Sequence, residues 1–164
     1  MRGSLLYTGP GIDELHEQYA KQGRIDRKAQ ALAFHSLRIE APPSRVWKLL
    51  TDVPSWPSWG DSIRDVRVPH GIGVDQEFSW RTQGSKISSR IAVLAPEQEM
   101  TWTGVCSGGM ARAVHRHRLR EADGGTVISA EESIAGFLLP LFYNSVKLQQ
   151  GMESWLAELK AAAE

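Results

Sequence analysis

Most of the chain alternates apolar and polar residues with a period of two, which is the pattern of half-buried strands. One strand is predicted over residues 34–39, and Pro42 and Pro43 end it because proline cannot donate to a sheet ladder. Six more are predicted between Ser62 and Glu132, separated by turns that contain Gly, Pro or Asp. They cover residues 63–68, 76–82, 86–94, 100–106, 111–120 and 126–132. Parallel strands need long crossovers, so this close succession predicts an antiparallel meander.

Helical spacing of apolar residues precedes and follows these strands. Residues 12–22 are predicted to form a short surface helix that Gly23 ends, and residues 44–51 a second one. From Leu141 onward, a helix of about 24 residues buries one apolar stripe. The stripe consists of Leu141, Leu148, Met152, Trp155 and Leu159. A curved antiparallel sheet around this long helix, an α+β fold, buries both apolar sides, and space left between them forms a cavity.

Composition and charge argue against a nucleic-acid-binding protein and against a membrane-spanning one. The 164 residues suit a single domain, and 19 Lys and Arg residues balance 19 Asp and Glu residues. Nucleic-acid-binding proteins usually carry a basic surplus, so we expect no nucleic-acid partner. No apolar stretch approaches the ~20 residues that span a bilayer, and no signal-peptide pattern is present. The single cysteine, Cys106, is predicted to be a small buried residue. We therefore expect a cytoplasmic monomer or homodimer without membrane insertion.

Strand alternation predicts which ionisable side chains face the helix. Over residues 111–120, the arginines share one parity, whereas His115 and His117 share the other. Unpaired arginines on a dry face would each cost several kcal/mol, so the arginines are predicted to face water and the histidines to point inward. The arginines are Arg112, Arg116, Arg118 and Arg120. Glu132 has the inward parity on the next strand, so His115, His117 and Glu132 converge.

The same parity assigns apolar and small residues to the inner face. These inward residues are Phe78, Trp80, Ile87, Ser89, Ile91, Val93, Met100, Trp102 and Gly104. Among the tryptophans, Trp80, Trp102 and one of Trp56 or Trp59 are predicted to line a cavity, where indole rings suit planar ligands. Trp47 and Trp155 are predicted to pack in the core. Asn144 lies near the start of the long helix, where it can meet a ligand oxygen or a loop backbone.

Three roles are open for His115, His117 and Glu132. In a pocket of low dielectric they can move protons near neutral pH, orient a ligand without chemistry, or hydrogen-bond each other beneath a packed core. A metal site is not predicted. Gly109, His115, His117 and Glu121 have part of the spacing of a cupin motif, but the glycine expected next is Ile128 and no second histidine motif follows. No cofactor is required by any of the three roles.

Two segments resemble a known superfamily. Residues 41–52, from Ala41-Pro42-Pro43 to Thr51-Asp52, and Trp56-Pro57-Ser58-Trp59 resemble the opening of the helix-grip superfamily, often called SRPBCC. This superfamily includes START-like lipid-transfer domains, pollen-allergen-like proteins and polyketide cyclase/dehydrase-like proteins. Weaker similarities follow in order at residues 100–104, 115–119, 124–126 and 132–136. The resemblance covers residues 34–164 and implies a deep, mainly apolar pocket for small hydrophobic or aromatic ligands. Residues 1–33 lie outside it as an N-terminal extension.

This resemblance predicts a domain that binds a small hydrophobic molecule, aromatic or polycyclic, and that acts as a polyketide cyclase or dehydratase. His115, His117 and Glu132 are then the proton-transfer groups. The predicted ligand contacts are Trp56, Trp59, Phe78, Trp80, Ser89, Trp102 and Asn144. Two alternatives use the same fold. One is a carrier or sensor of a lipid-like ligand without chemistry, and the other is a co-chaperone-type interaction module that docks through the N-terminal helix.

Overall fold

A seven-stranded antiparallel sheet dominates the structure, a computed structural model that describes residues 4–164. The strands follow one another in space as β1-β7-β6-β5-β4-β3-β2, so the predicted meander is confirmed and β1 forms one edge of the sheet, beside β7. The strands are β1 (Ala31–Ile39), β2 (Ile63–Arg67), β3 (Glu77–Thr82), β4 (Ser85–Ala95), β5 (Glu99–Cys106), β6 (Ala111–Ala122) and β7 (Gly125–Gly136).

Four α-helices accompany the sheet in the described part of the chain. They are α1 (Ile12–Glu14), α2 (Pro43–Thr51), α3 (Trp56–Trp59) and α4 (Ser145–Ala163). α4 packs on one side of the sheet, the inner face, and buries Leu148, Met152, Leu156, Leu159 and Ala163. The helix-grip fold predicted from the sequence is thus confirmed. None of the helices between residues 4 and 164 has the length and hydropathy needed to cross a membrane.

The long helix begins later than predicted. The sequence predicts Leu141 in its apolar stripe, but Leu141 lies in a preceding turn (Leu139–Leu141) and is 67% exposed. The helix starts at Ser145 because Asn144 caps it, its Oδ1 accepting a hydrogen bond from the Lys147 amide at 3.0 Å. Such a cap satisfies one of the free amides of the first turn. Asn144 is therefore engaged with the helix itself.

A β-bulge in β4 overturns the predicted orientation of Val93. Ile91 pairs with Trp102, but Val93 pairs with Thr101, so Ala92 is an extra residue on this strand. An extra residue inverts the alternation of the residues that follow it. Val93 consequently packs on the side of the sheet opposite α4, which we call the outer face.

The N-terminal segment, residues 4–30, covers part of the outer face. α1 continues into a π-helical turn (Leu15–Tyr19) and a 3-10 turn (Ala20–Gln22), and Gly23 ends them with φ of 67°. Leu15, Ala20 and Ile25 pack against Ala92 and Val114 in a second apolar cluster. The predicted surface helix is thus present, and it buries an apolar side of its own.

His16 attaches this segment to the rest of the protein through two hydrogen bonds of its buried ring. Its side chain is fully buried, with Nδ1 2.8 Å from Thr103 Oγ1 and Nε2 2.9 Å from Asp75 Oδ1. Burial lowers the pKa of His16, which favours the neutral imidazole. His16 therefore acts as a hydrogen-bonding link between the segment and the sheet.

The outer-face covering also changes the environment of Arg116. The sequence predicts that it faces water, but its side chain is only 15% exposed. It pairs with Glu99 at 2.8 Å and with Glu131 at 2.9 Å, and the space left by Gly23 lies over its guanidinium group. Alternation identified the correct face, but the arginine is satisfied there by carboxylates in place of solvent.

We predict that Leu15→Ala lowers the free energy of unfolding by about 2–4 kcal/mol, because it removes a buried side chain from the cluster between segment and sheet. Leu6→Ala is the matched control, since the Leu6 side chain is 70% exposed and its truncation should change stability by no more than about 0.5 kcal/mol. Urea denaturation measures both. Equal stabilities of the two variants would contradict the packing of the segment.

Candidate functional site

A cavity of about 500 Å³ lies between the inner face of the sheet and α4. Three indole rings contribute to its wall, those of Trp80, Trp102 and Trp155. His115, His117 and Glu132 also line it, so the structure brings the predicted ionisable set together at one site. The polar residues Gln83, Lys147 and Gln150 lie at its exposed edge. The arrangement is a mainly apolar chamber with a few ionisable groups inside.

Strand register explains why these side chains meet. Trp102 on β5 is directly opposite His115 on β6, which is directly opposite Glu132 on β7. Opposed residues of antiparallel strands point to the same face, so the three form one row across the sheet. His117 lies two residues further along β6, on the same face.

Trp102 holds both imidazole rings in place. Its ring centroid is 5.3 Å from that of His115 and 4.8 Å from that of His117, with interplanar angles of 18° and 13°. Trp155 of α4 meets the His117 ring edge-on, at a centroid distance of 5.1 Å. Stacked and edge-on contacts of this kind fix ring orientation as well as position.

His115 and Glu132 form a close pair at the cavity surface. Nδ1 of His115 is 2.9 Å from Oε1 of Glu132, and the two side chains are 9% and 12% exposed. A carboxylate offers only lone pairs, so this contact is favourable when Nδ1 carries the hydrogen. In the neutral imidazole, the lone pair then resides on Nε2. The pair therefore offers His115 Nε2 to the cavity as a proton acceptor, with the carboxylate of Glu132 on the other side of the ring.

His117 is held in a different state. Burial, reinforced by the nearby His115, lowers the pKa of His117 to about 3. Its Nδ1 is buried and has no hydrogen-bond partner among residues 4–164. His117 is accordingly a neutral ring across the physiological pH range, stacked on Trp102 and in edge-on contact with Trp155.

Tyr143 and Cys106 add two neutral groups to the cavity wall. Burial, with smaller contributions from Glu132 and Cys106, raises the pKa of Tyr143 to about 12. Its phenol therefore keeps its proton and remains a hydrogen-bond donor. Burial also raises the pKa of the Cys106 thiol, which disfavours the nucleophilic thiolate. Cys106 is half-buried and lines the cavity, whereas the sequence predicts a small buried residue.

Several predicted ligand contacts lie outside the cavity wall. Trp56 and Phe78 are buried in the core, where their rings meet edge-on at a centroid distance of 5.7 Å. Trp59 packs on Trp155, and Asn144 caps α4. Ser89 lies behind Trp80 and accepts a hydrogen bond from its Nε1 at 3.1 Å. Of the seven predicted contacts, the cavity wall contains Trp80 and Trp102.

Trp155 and Tyr143 line the cavity, although neither is among the predicted ligand contacts. The sequence predicts that Trp155 packs in the core, because it lies in the apolar stripe of the long helix, but the stripe faces both core and cavity. Tyr143 has no part in the site predicted from the sequence. Its position in the sequence could have indicated a place in the cavity wall. Tyr143 is a polar aromatic residue directly before the capping residue Asn144, at the end of the helix expected to cover the cavity.

Known structures share this architecture at low sequence identity. The hypothetical protein jhp0584 from Helicobacter pylori superposes with a TM-score of 0.76 at 15% identity, over 96% of this chain and 98% of that one. This match extends into the N-terminal segment. CV1439 from Chromobacterium violaceum has a TM-score of 0.66 at 16% identity, over 81% of this chain and 96% of that one.

A third structure is DynU16, a protein of the dynemicin biosynthetic locus. It has a TM-score of 0.63 at 13% identity and covers 79% of this chain and 46% of that one. At such identities these likenesses show a common fold. No curated protein matches the sequence closely enough to count as a relative.

The sequence itself gives the family. Residues 34–164 match the sequence profile described as polyketide cyclase / dehydrase and lipid transport. The match begins in β1 and runs to the end of α4, so it includes every residue that lines the cavity. The protein belongs to the polyketide cyclase/dehydrase and lipid transport family.

Proposed function

We propose that the cavity binds a small aromatic or polycyclic molecule and that the His115–Glu132 pair exchanges a proton with an enol or hydroxyl group of that molecule. The observation that carries this proposal is the pair itself, a histidine and a carboxylate 2.9 Å apart at the surface of an aromatic cavity. Family membership supports the same class of ligand, since the family is described by polyketide cyclisation, dehydration and lipid transport.

The cavity wall suits a planar hydrophobic ligand. Its volume of about 500 Å³ lies within the usual range of small-molecule sites. Trp80, Trp102 and Trp155 offer indole surface on different sides, and burying a ring among them gains free energy through removal of apolar area from water. Binding of this kind needs no cofactor.

The His115–Glu132 pair can remove a proton from the ligand and return it to the product. Nε2 of His115 takes a proton from an acidic carbon or hydroxyl of the ligand, and Glu132 stabilises the resulting imidazolium. A carbanion so formed attacks a carbonyl carbon of the same molecule, and the alkoxide product takes the proton back from His115. The neutral phenol of Tyr143 donates a hydrogen bond to a ligand oxygen on which negative charge develops. Holding one flexible chain in a folded geometry supplies the larger part of the acceleration.

His117 has a supporting role in this proposal. With a pKa of about 3, it does not take up a proton at neutral pH and so does not act as the base. Its stacking on Trp102 positions the indole that in turn stacks on His115. Of the three residues predicted to transfer protons, only His115 and Glu132 then have this role.

We predict that the protein accelerates hydrogen–deuterium exchange at the acidic carbon of beta-tetralone, an enolisable aromatic ketone. His115→Gln should reduce the accelerated rate by about 100-fold or more, and Glu132→Gln by a smaller factor, because the base is lost in one case and its orienting charge in the other. NMR in deuterium oxide measures the rate. His70→Gln, an exposed histidine outside the cavity, is the matched control and should retain the rate.

The same experiment separates an enzyme from a carrier. Binding of beta-tetralone is followed in parallel by equilibrium dialysis. If wild-type protein binds the ketone but exchanges its protons no faster than His115→Gln, the pair has no catalytic role and a carrier or sensor function stands. If the ketone does not bind at all, the aromatic ligand class is contradicted.

We predict that His117 makes the protein less stable in acid. Its pKa is about 3 when folded but near 6.5 when unfolded, so below about pH 6.5 the unfolded chain binds a proton that the folded protein does not. Above that pH, His117 does not lower the free energy of unfolding. As the pH falls from there towards 3, proton uptake by the unfolded chain lowers the free energy of unfolding by about 1.4 kcal/mol per pH unit. His117→Phe keeps the stacked ring and should reduce the slope of unfolding free energy against pH by the amount that corresponds to one proton. Urea denaturation between pH 7 and pH 4 tests this, and parallel profiles would contradict the burial of a neutral His117.

A further inference from the structure

Most of the exposed large apolar side chains lie around the loop between β7 and α4. Between residues 4 and 164 there are nine of them, and all but Phe34 and Val74 belong to three segments that meet at this loop. We call these seven side chains the Phe142 patch. They are Leu5, Leu6, Met110, Phe137, Leu141, Phe142 and Val146. Proteins in water rarely expose so many apolar groups together, and patches of this kind usually mark a surface that binds a partner.

Backbone contacts bring the three segments together. Met110 directly precedes β6 and Phe137 directly follows β7, and these two strand ends are paired with each other. The amide of Leu138 donates a hydrogen bond to the carbonyl of Leu5 at 3.0 Å, which attaches the N-terminal segment to the loop. Leu139 of the same loop is buried in the core and holds the loop on the body of the protein. The patch is therefore presented by an anchored loop.

The segments that carry the patch contain cations but no carboxylates. Asp and Glu are absent from all three, although the chain has 19 of these residues. The segments are residues 4–12, 105–112 and 133–152. Lys147 and Arg112 lie in them, and each donates to a backbone carbonyl, Lys147 to that of Phe142 at 3.1 Å and Arg112 to that of Pro10 at 3.0 Å. A carbonyl has no net charge, so these contacts leave both positive charges unneutralised.

This charge pattern distinguishes between two possible partners. In a symmetric dimer the patch would face its own copy, so Lys147 and Arg112 of both copies would meet without a carboxylate to pair with. The surface of an anionic bilayer instead offers negative headgroups above an apolar layer. The combination of apolar side chains and unpaired cations therefore favours the bilayer over a second copy of the chain.

We propose that the Phe142 patch docks on the surface of an anionic lipid bilayer, with the side chains of Phe137, Leu141 and Phe142 among the headgroups. Interfacial binding of this kind depends on the apolar area that is buried and on attraction between basic residues and anionic lipids. Tyr143 directly follows Phe142 and lines the cavity together with Lys147, so docking places the cavity beside the bilayer. A hydrophobic ligand then passes between the two with little exposure to water. This inference does not depend on the proton transfer proposed above.

Flotation with vesicles made of equal parts phosphatidylglycerol and phosphatidylcholine tests the docking. Wild-type protein is expected to float with these vesicles and to bind vesicles of phosphatidylcholine alone about fivefold less tightly or weaker still. Phe142→Ser should lower the partition coefficient about tenfold, because it removes a ring from the apolar layer. Val74→Ser is the matched control. Val74 is 50% exposed, as Phe142 is, but it lies in the loop before β3, outside the patch, so this variant should bind like wild-type protein.

Lys147→Gln is a second variant, which leaves the apolar patch intact and removes one cation. Its binding to the mixed vesicles should be about fivefold weaker than that of wild-type protein and less sensitive to added salt. Equal binding of wild-type protein to the two kinds of vesicle, or undiminished binding of Phe142→Ser, would overturn the proposal. Light scattering that shows a dimer for wild-type protein and a monomer for Phe142→Ser would also overturn it, since the patch would then be an interface between copies. None of these results involves exchange of ketone protons, so the proposed function is tested separately.

Discussion

The register between β5, β6 and β7 determines the chemistry of the whole inner face. One row of opposed residues contains Trp102, His115 and Glu132, and the adjacent row on the outer face contains Thr101, Arg116 and Glu131. A slip of one residue in β6 would exchange these faces and place an arginine beside the indoles. The outer-face carboxylates Glu99 and Glu131 can pair with Arg116 but not with a histidine of the inner row in the same way. The indole of Trp102 on the inner face stacks on the imidazole of His115. Site and register thus stabilise each other.

Alternation along the strands made the convergence of His115, His117 and Glu132 predictable from sequence. It failed at Val93, because a bulge inverts the parity and nothing in the local sequence marks the extra residue. Helical spacing failed for Trp155, because one helical stripe faces both packed core and open cavity, and the boundary depends on how far the helix and sheet diverge. For Arg116, parity gave the correct face but could not show that a distant segment covers that face. Long-range contacts of this kind leave little signal in local patterning.

Two buried histidines differ in how fully their ring nitrogens are hydrogen-bonded. His16 has a partner for each ring nitrogen, at 2.8 Å and 2.9 Å, as expected of a structural residue. His117 leaves Nδ1 without one, as do the indole nitrogens of Trp59, Trp102 and Trp155. In the described part of the chain, the buried side-chain donors and acceptors that lack partners are concentrated in this aromatic cluster beside the cavity. Unsatisfied groups of this type destabilise a fold, so their concentration here is typical of a binding site.

The N-terminal segment imposes an order on the assembly of the molecule. Its partners are far along the chain, since His16 binds Thr103, the Asp26 amide donates to Ser133 Oγ, and the Gln30 side chain binds the Gly136 carbonyl. A ribosome makes this segment before the strands that it covers, and its docking surface exists only after more than a hundred further residues have emerged and paired. Contacts between residues so distant in sequence form slowly. The segment must therefore remain without its docking site during most of synthesis, and its attachment marks the completion of the sheet.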